Sequence, residues 1–210
     1  MKKYLNYALF LFVFSPFIQA QEILTLPDSS ECGLDGSAKR NNDKALNRLK
    51  NRYNFPRKSD IDTSFNWEKI NEPTDDRRKF NARRAVILRG YVVSVSIGSV
   101  ETCNCNSLDP AYRDTHIIFA PNKESKDDKT QYVVAEVTPR MRIMMKEKGI
   151  DWSQKALKKL RGHVIELEGW LFYDFKHGER SVKVRPDAES VNRATAWEIH
   201  PITRITVLKF

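Results

Sequence analysis

Five strand-favouring stretches, each stopped by a proline or bent by an internal glycine, constrain this chain more than any other feature. Ala85–Ile97 is rich in Val, Ile, Leu and Tyr and carries Gly90 where a strongly bent strand needs no Cβ. Asp114–Ala120 ends at Pro121, and Gln131–Thr138 ends at Pro139. His163–Phe175 is long and contains Gly169. Arg193–Ile199 and Ile202–Phe210 supply a last strand, interrupted by Pro201. Between the third and fourth stretches, Arg140–Leu160 reads as mostly helical, with Trp152, Ala156, Leu157 and Leu160 at helical spacing and Gly149 as a break. That order predicts a mostly β (α+β) fold, a small closed OB-like barrel over 85–210.

The residues ahead of the barrel read differently. Lys2 and Lys3, an apolar run from Ala8 to Ile18 and a small residue at Ala20 have the layout of a secretory signal over 1–20. The run is too short and interrupted to favour a lasting anchor, and no later stretch reaches membrane-span length. The mature chain is therefore expected to be secreted or periplasmic. Residues 21–84 read as a helical and irregular N-terminal extension. Within it Ser37–Arg52 is predicted as a helix capped by Ser37, with Leu46 and Leu49 on its apolar side and Lys39, Arg40, Lys44, Arg48, Lys50 and Arg52 on its basic faces. Arg57–Asn81 reads as an extended arm anchored by Trp67 and Ile70.

Three cysteines, Cys32, Cys103 and Cys105, leave one thiol over in an oxidising compartment. Cys103 and Cys105 lie too close for an unstrained bridge, so Cys32 is expected to pair with one of the two.

Side-chain alternation along strands selects the candidate site. Asp114 and His116 share the face opposite Thr115, Ile117 and Phe119. Glu136 lies opposite Val133, Ala135 and Val137, and Glu198 with His200 lies opposite Trp197 and Ile199. Asp174 and His177 close the fourth strand, and Arg140 follows Glu136 after a Thr-Pro turn. One reading is an ordinary solvated sheet face. The other is a shared site, with Asp114, His116, Glu198 and His200 as ligands for zinc or another divalent ion. Glu136, Asp174 and His177 would then serve acid–base chemistry, and Arg140 would steady an anion.

Charge adds a second line. Lys+Arg number 36 against 27 Asp+Glu, a formal net charge of +9, of which Lys2 and Lys3 leave with a cleaved leader. The excess favours an anionic polymer, nucleic acid or glycan, or a small anionic ligand. Trp170, Phe172, Tyr173 and Tyr91 with the basic run Arg77–Arg84 are the aromatic and cationic parts such binding needs, although core packing is the commoner use of those rings. No Ser-His-Asp order, phosphate loop, His-Glu-x-x-His motif or internal repeat is present. Three function classes follow: an exported anion-binding module, a metal-dependent hydrolase, and a structural or partner-binding envelope protein.

Six segments together resemble an uncharacterised family of secreted bacterial OB-like proteins. They are the Ala-Leu-Asn-x-Leu-Lys-Asn-Arg helix at Ala45–Arg52, the Glu-Thr-Cys-Asn-Cys loop at Glu101–Cys105 and Asp-x-His-Ile at Asp114–Ile117. Val-x-Glu-x-Thr-Pro-Arg at Val134–Arg140, Gly-Trp-Leu-x-x-Asp-x-x-His at Gly169–His177 and Trp-Glu-Ile-His-Pro at Trp197–Pro201 complete the set. The resemblance implies an OB-like barrel and brings no established activity. This chain departs from it in a shorter, less Gly-rich loop before Trp197.

Overall fold

The computed structural model describes residues 32–187 and 189–208. The predicted signal segment and residues 21–31 lie outside the described residues. Five strands, β1 (Ala85–Ile97), β2 (Thr115–Ala120), β3 (Val133–Val137), β4 (Val164–Tyr173) and β5 (Trp197–Val207), form a closed barrel in the order β1-β2-β3-β5-β4. The expected OB-like architecture is present. Among the described residues no helix is long and apolar enough to cross a membrane.

β1 closes the barrel because it serves two neighbours. Its first half, Ala85 to Tyr91, pairs antiparallel with β4, and Tyr91 to Ile97 pairs antiparallel with β2. The handover falls beside Gly90, where a Cβ would stand 2.3 Å from the Ala120 carbonyl oxygen. Only a residue without a side chain lets the strands approach so closely there. β3 then pairs parallel with β5 through Val134↔Glu198 and Ala135↔Ile199.

Pro201 does not break the last strand, contrary to expectation; β5 runs through it. The β4–β5 register shifts on both sides of Gly169, which pairs with Ile202 while Leu171 pairs with Ile199. A proline has no N–H to give the ladder, so the bulge is where a central strand can hold one. Gly169 makes room for it: a Cβ there would meet the Pro201 oxygen at 2.5 Å and Ile199 Cγ2 at 2.6 Å. The Arg52 guanidinium donates to the Leu171 carbonyl at 2.8 Å and the His200 carbonyl at 3.4 Å, supplying donors where the ladder is irregular.

The barrel interior is filled by Val86, Leu88, Ile117, Phe119, Val133, Ala135, Ile165, Leu167, Leu171 and Ile199, all buried. The helical stretch after β3 is two helices, α4 (Pro139–Glu147) and α5 (Gln154–Lys158), separated at Gly149, whose φ is +74°. Met141, Met145, Trp152 and Leu157 carry this segment into the same core.

Two expectations about the N-terminal extension need correction. The first helix, α1, spans Asn41–Lys50; its cap is Arg40, without a side-chain bond, and the Ser37 N–H donates instead to the Thr102 carbonyl. Its buried residues are Asn47 and Lys50, whereas Leu46 and Leu49 are only half-buried. Polar groups win the inward face because the loop they meet offers partners: Asn47 donates to Asp35 and Thr102, and the following Asn51 donates to the Leu34 and Cys103 carbonyls. The arm over 57–81 is not simply extended. It holds α2 (Trp67–Asn71) and α3 (Asp76–Lys79). Buried Asp76 fastens it to the barrel by accepting from Thr195 Oγ1 and the Ala196 N–H, each at 2.7 Å.

Gly169→Ala is expected to destabilise the fold by about 1–3 kcal/mol through overpacking. Gly33→Ala, where no atom lies within 4 Å of a built Cβ, should be near neutral. Equilibrium denaturation of the two variants beside wild type is the check.

Candidate functional site

Barrel closure brings the alternating polar residues of β2, β3 and β5 to one place, and that face is buried. Register pairs His116 directly with Glu136. The parallel β3–β5 seam sets Glu198 beside Val134. Asp114, Glu136, Glu198 and His200 are at most 3% exposed. A solvated sheet face is thereby ruled out for these four.

His200 sits at the centre with no exposed surface. Its Nδ1 stands 3.3 Å from Glu136 Oε2 and 3.6 Å from Glu198 Oε2, and its Nε2 stands 3.8 Å from Asp114 Oδ2. The Phe172 ring packs edge-on against it at 5.7 Å. Neither ring nitrogen of His200 makes a hydrogen bond, nor do Glu136 Oε2 and Asp114 Oδ1. His116 Nε2 approaches Glu136 Oε1 to 3.2 Å, off the hydrogen-bonding direction. Gly98 leaves space for that ring, since a Cβ there would stand 2.7 Å from His116 Nε2.

These neighbours set the protonation states. The Glu136 charge, against the opposing effect of burial, raises His116 to about 9. Burial works against a charged His200, yet Glu136, Glu198 and Asp114 together raise it. Burial would lift Glu136, but the two imidazoles hold it well below the usual carboxylate range. Asp114 and Glu198 are pushed up, first by burial and, among the charges around them, by Glu136.

A second group adjoins the first. Arg193 Nη1 donates to Glu198 Oε1 at 2.7 Å and to Asp174 Oδ2 at 3.3 Å. Asp174 Oδ2 lies 2.8 Å from His177 Nδ1. Across the site, Lys50 Nζ contacts Glu101 Oε2 at 2.5 Å. Cys103 Sγ reaches Glu101 Oε2 at 3.5 Å and Asp114 Oδ2 at 3.9 Å. Burial and the Asp114 charge push the Cys103 thiol well up. The disulfide joins Cys32 to Cys105 and leaves Cys103 as the buried free thiol, resolving the two pairings open from sequence.

A cleft of about 490 Å³ opens onto these groups. His116, Glu136, Asp174, His177, Arg193 and Glu198 face it, with Lys50, Glu101, Lys129 and Arg180 around them. Another concavity, about 630 Å³ beside Trp152 and Ile150, is largely apolar and contains none of the site residues.

Of the predicted site residues, seven gather here and Arg140 does not. Arg140 is fully buried, and its Nη2 donates to the carbonyls of Cys32 (2.5 Å) and Gly33 (2.8 Å). It clamps the segment next to the disulfide and does not line the cleft, because the chain turns into α4 at Pro139 and carries the guanidinium away from Glu136. Ligand-type atoms of Asp114, Glu136 and His200 lie within 4.8 Å of one another, as do those of Glu101, Cys103 and Asp114. Glu136 thus joins the ligand-type set where an acid–base role was expected, and His116 and Glu198 flank it. Lys50, Glu101, Cys103 and Arg193 were missed as site residues; the polar segments at 101–105 and 45–52 were the signal for the first three, and nothing local marked Arg193. Trp170 and Phe172 are buried and form no stacking platform.

No family model matches this chain, and no curated protein or solved structure matches it.

The raised imidazoles give a signed pH dependence. A folded-state value above the ordinary His value of about 6.5 makes the protonated pair stabilising below that pH. The contribution is lost as pH rises through about 9 for His116. In chelator-treated protein, stability measured by urea unfolding is expected to fall across that window. Glu136→Gln, which removes the charge that raises both rings, should flatten the slope.

Proposed function

We propose that this barrel is an exported metal-dependent hydrolase whose divalent ion is held by Asp114, Glu136 and His200. The observation that carries this reading is the convergence of two carboxylates and one imidazole in a fully buried pocket where His200 Nδ1, His200 Nε2, Glu136 Oε2 and Asp114 Oδ1 have no hydrogen-bond partner. Buried polar atoms are otherwise almost always paired, and stranding them is costly. A cation satisfies several lone pairs at once and offsets the mutual repulsion of the carboxylates. The 3.3 Å between His200 Nδ1 and Glu136 Oε2 matches the roughly 3.3 Å between neighbouring ligands of a tetrahedral ion bound at about 2.0–2.1 Å. The donor set of one nitrogen and two oxygens suits zinc.

A bound ion of this kind supplies Lewis acidity toward a polarised ester or amide. The chain's own groups supply the rest. Glu136 reaches both the buried pocket and the cleft, so it links the ligand set to solvent. His116 Nε2 lies at the cleft wall beside Glu136, whose charge keeps that ring protonated, so it offers positive charge toward an anionic substrate rather than a base for water. Arg193 fixes Glu198 and Asp174 and keeps their charges compensated. The Phe172 ring covers His200 and keeps water from its flank.

Purified protein stripped by chelator is expected to take up one zinc ion per chain in calorimetry. Asp114→Asn and His200→Ala should each weaken uptake by about 100-fold or more, since even outer partners of a metal ligand are worth about 10–100-fold. Arg180→Ala, outside the ligand set, should bind zinc as wild type does. Thermal melts of the stripped variants separate loss of a ligand from loss of the fold. Wild type that takes up no zinc, manganese, magnesium or calcium would end the proposal.

A further inference from the structure

The cleft has a second polar wall that the ion pocket does not use. Asp174, 5% exposed, accepts the backbone N–H of Lys176 at 3.2 Å and of His177 at 3.3 Å through Oδ1. Its Oδ2 holds His177 Nδ1 at 2.8 Å and accepts from Arg193. The carboxylate thus fixes the imidazole in one orientation and leaves Nε2 as the ring atom free to exchange a proton. His177 lines the cleft with its side chain about one-third exposed, 37%.

The same mouth carries two cations with no internal use. Lys129 and Arg180 line the cleft, and neither side chain makes an ion pair or hydrogen bond to any described residue. Lys50 and Arg193, by contrast, are committed to Glu101, Asp174 and Glu198. Arg180 is held near His177 by its short 3-10 turn, Gly178–Arg180. The Asn192 N–H donates to the Arg180 carbonyl at 2.9 Å, and Ser181 bridges to Arg193. The Arg180 charge is therefore placed by backbone bonds next to the His177–Asp174 pair, and Lys129 faces the same cleft.

We propose that this wall is a subsite for a phosphate monoester, with Lys129 and Arg180 on the phosphoryl oxygens and His177 as the proton donor to the leaving oxygen. This deepens the hydrolase reading of the same cleft and rests on it for the hydrolytic step. A phosphate monoester carries about −1.5 to −2 charge at neutral pH and three strong acceptor oxygens, which two unpaired cations and an imidazole N–H match. A carboxylate, with one charge and two oxygens, would leave one cation unused. Arginine suits tetrahedral oxyanions by its planar fork, and lysine serves as a point charge.

The step balances with water as the only co-reactant. The water oxygen bonds to phosphorus while the phosphorus–oxygen bond to the alcohol breaks. That bond's electron pair stays on the leaving oxygen, which takes the proton from His177 Nε2. The proton released by the attacking water recharges the imidazole.

Two measurements test this. Inorganic phosphate, titrated calorimetrically into chelator-stripped protein, is expected to bind, and Arg180→Ala and Lys129→Ala should each weaken it by about tenfold or more, the size of a charge-assisted hydrogen bond. With the zinc-loaded protein, His177→Asn should slow phenyl phosphate hydrolysis by about 100-fold but p-nitrophenyl phosphate hydrolysis only a few-fold. Nitrophenolate leaves without a proton, whereas phenolate needs one. Equal losses on both substrates, or no hydrolysis of either by wild type, would overturn the role of His177. Failure of inorganic phosphate to bind, or binding indifferent to both cation variants, would overturn the subsite. The failures are separable: zinc uptake without phosphate binding sinks this inference alone, and phosphate binding without zinc uptake sinks the hydrolase reading.

Discussion

Glu136 is the group on which the site depends. Its carboxylate lies between two imidazoles, 3.2 Å from His116 and 3.3 Å from His200, on a strand buried along its whole length. A carboxylate so placed is unstable without positive neighbours. The barrel provides them by register: β2 sets His116 directly opposite, and β5 runs alongside in parallel and delivers His200. Removing any one strand from this arrangement would leave a bare buried charge. The topology and the electrostatics are therefore one requirement seen from two sides.

The segments ahead of β1 complete the compensation rather than merely decorating the surface. Lys50 reaches the site from the last turn of α1, and burial of its ammonium is tolerated because the carboxylates of Glu136 and Glu101 lie around it. The Cys32–Cys105 disulfide holds the chain ahead of that helix against the loop bearing Glu101 and Cys103, and the Arg140 clamp ties the same segment to α4. A basic helix that would be unremarkable in water becomes part of the wall because its inward face meets carbonyls and carboxylates, not hydrocarbon.

Period-two alternation made much of this legible in the sequence. It placed Asp114, His116, Glu136, Glu198 and His200 on the non-core side of their strands, and β1 was delimited at Ala85–Ile97 as found. Alternation could not say that this side is covered, because cover comes from α1 and the loops, whose packing is tertiary. Lys50 read as an outward basic residue for the same reason. Arg193 was hidden in a polar loop with no period at all. Arg140 misled because closeness in sequence to Glu136 does not survive the turn into a helix. Pro201 read as an interruption of the last strand, though a bulge opposite Gly169 accommodates it inside a continuous one.

The seam between β3 and β5 is stitched by only Val134↔Glu198 and Ala135↔Ile199, whereas β1 and β4 are zipped from Ala85 to Tyr91. That short ladder runs between the strands that carry Glu136 and His200, whose side chains stand 3.3 Å apart across it. A ligand bridging those two groups would fasten the barrel wall where the backbone contributes the fewest paired residues, and so would favour the folded chain by mass action.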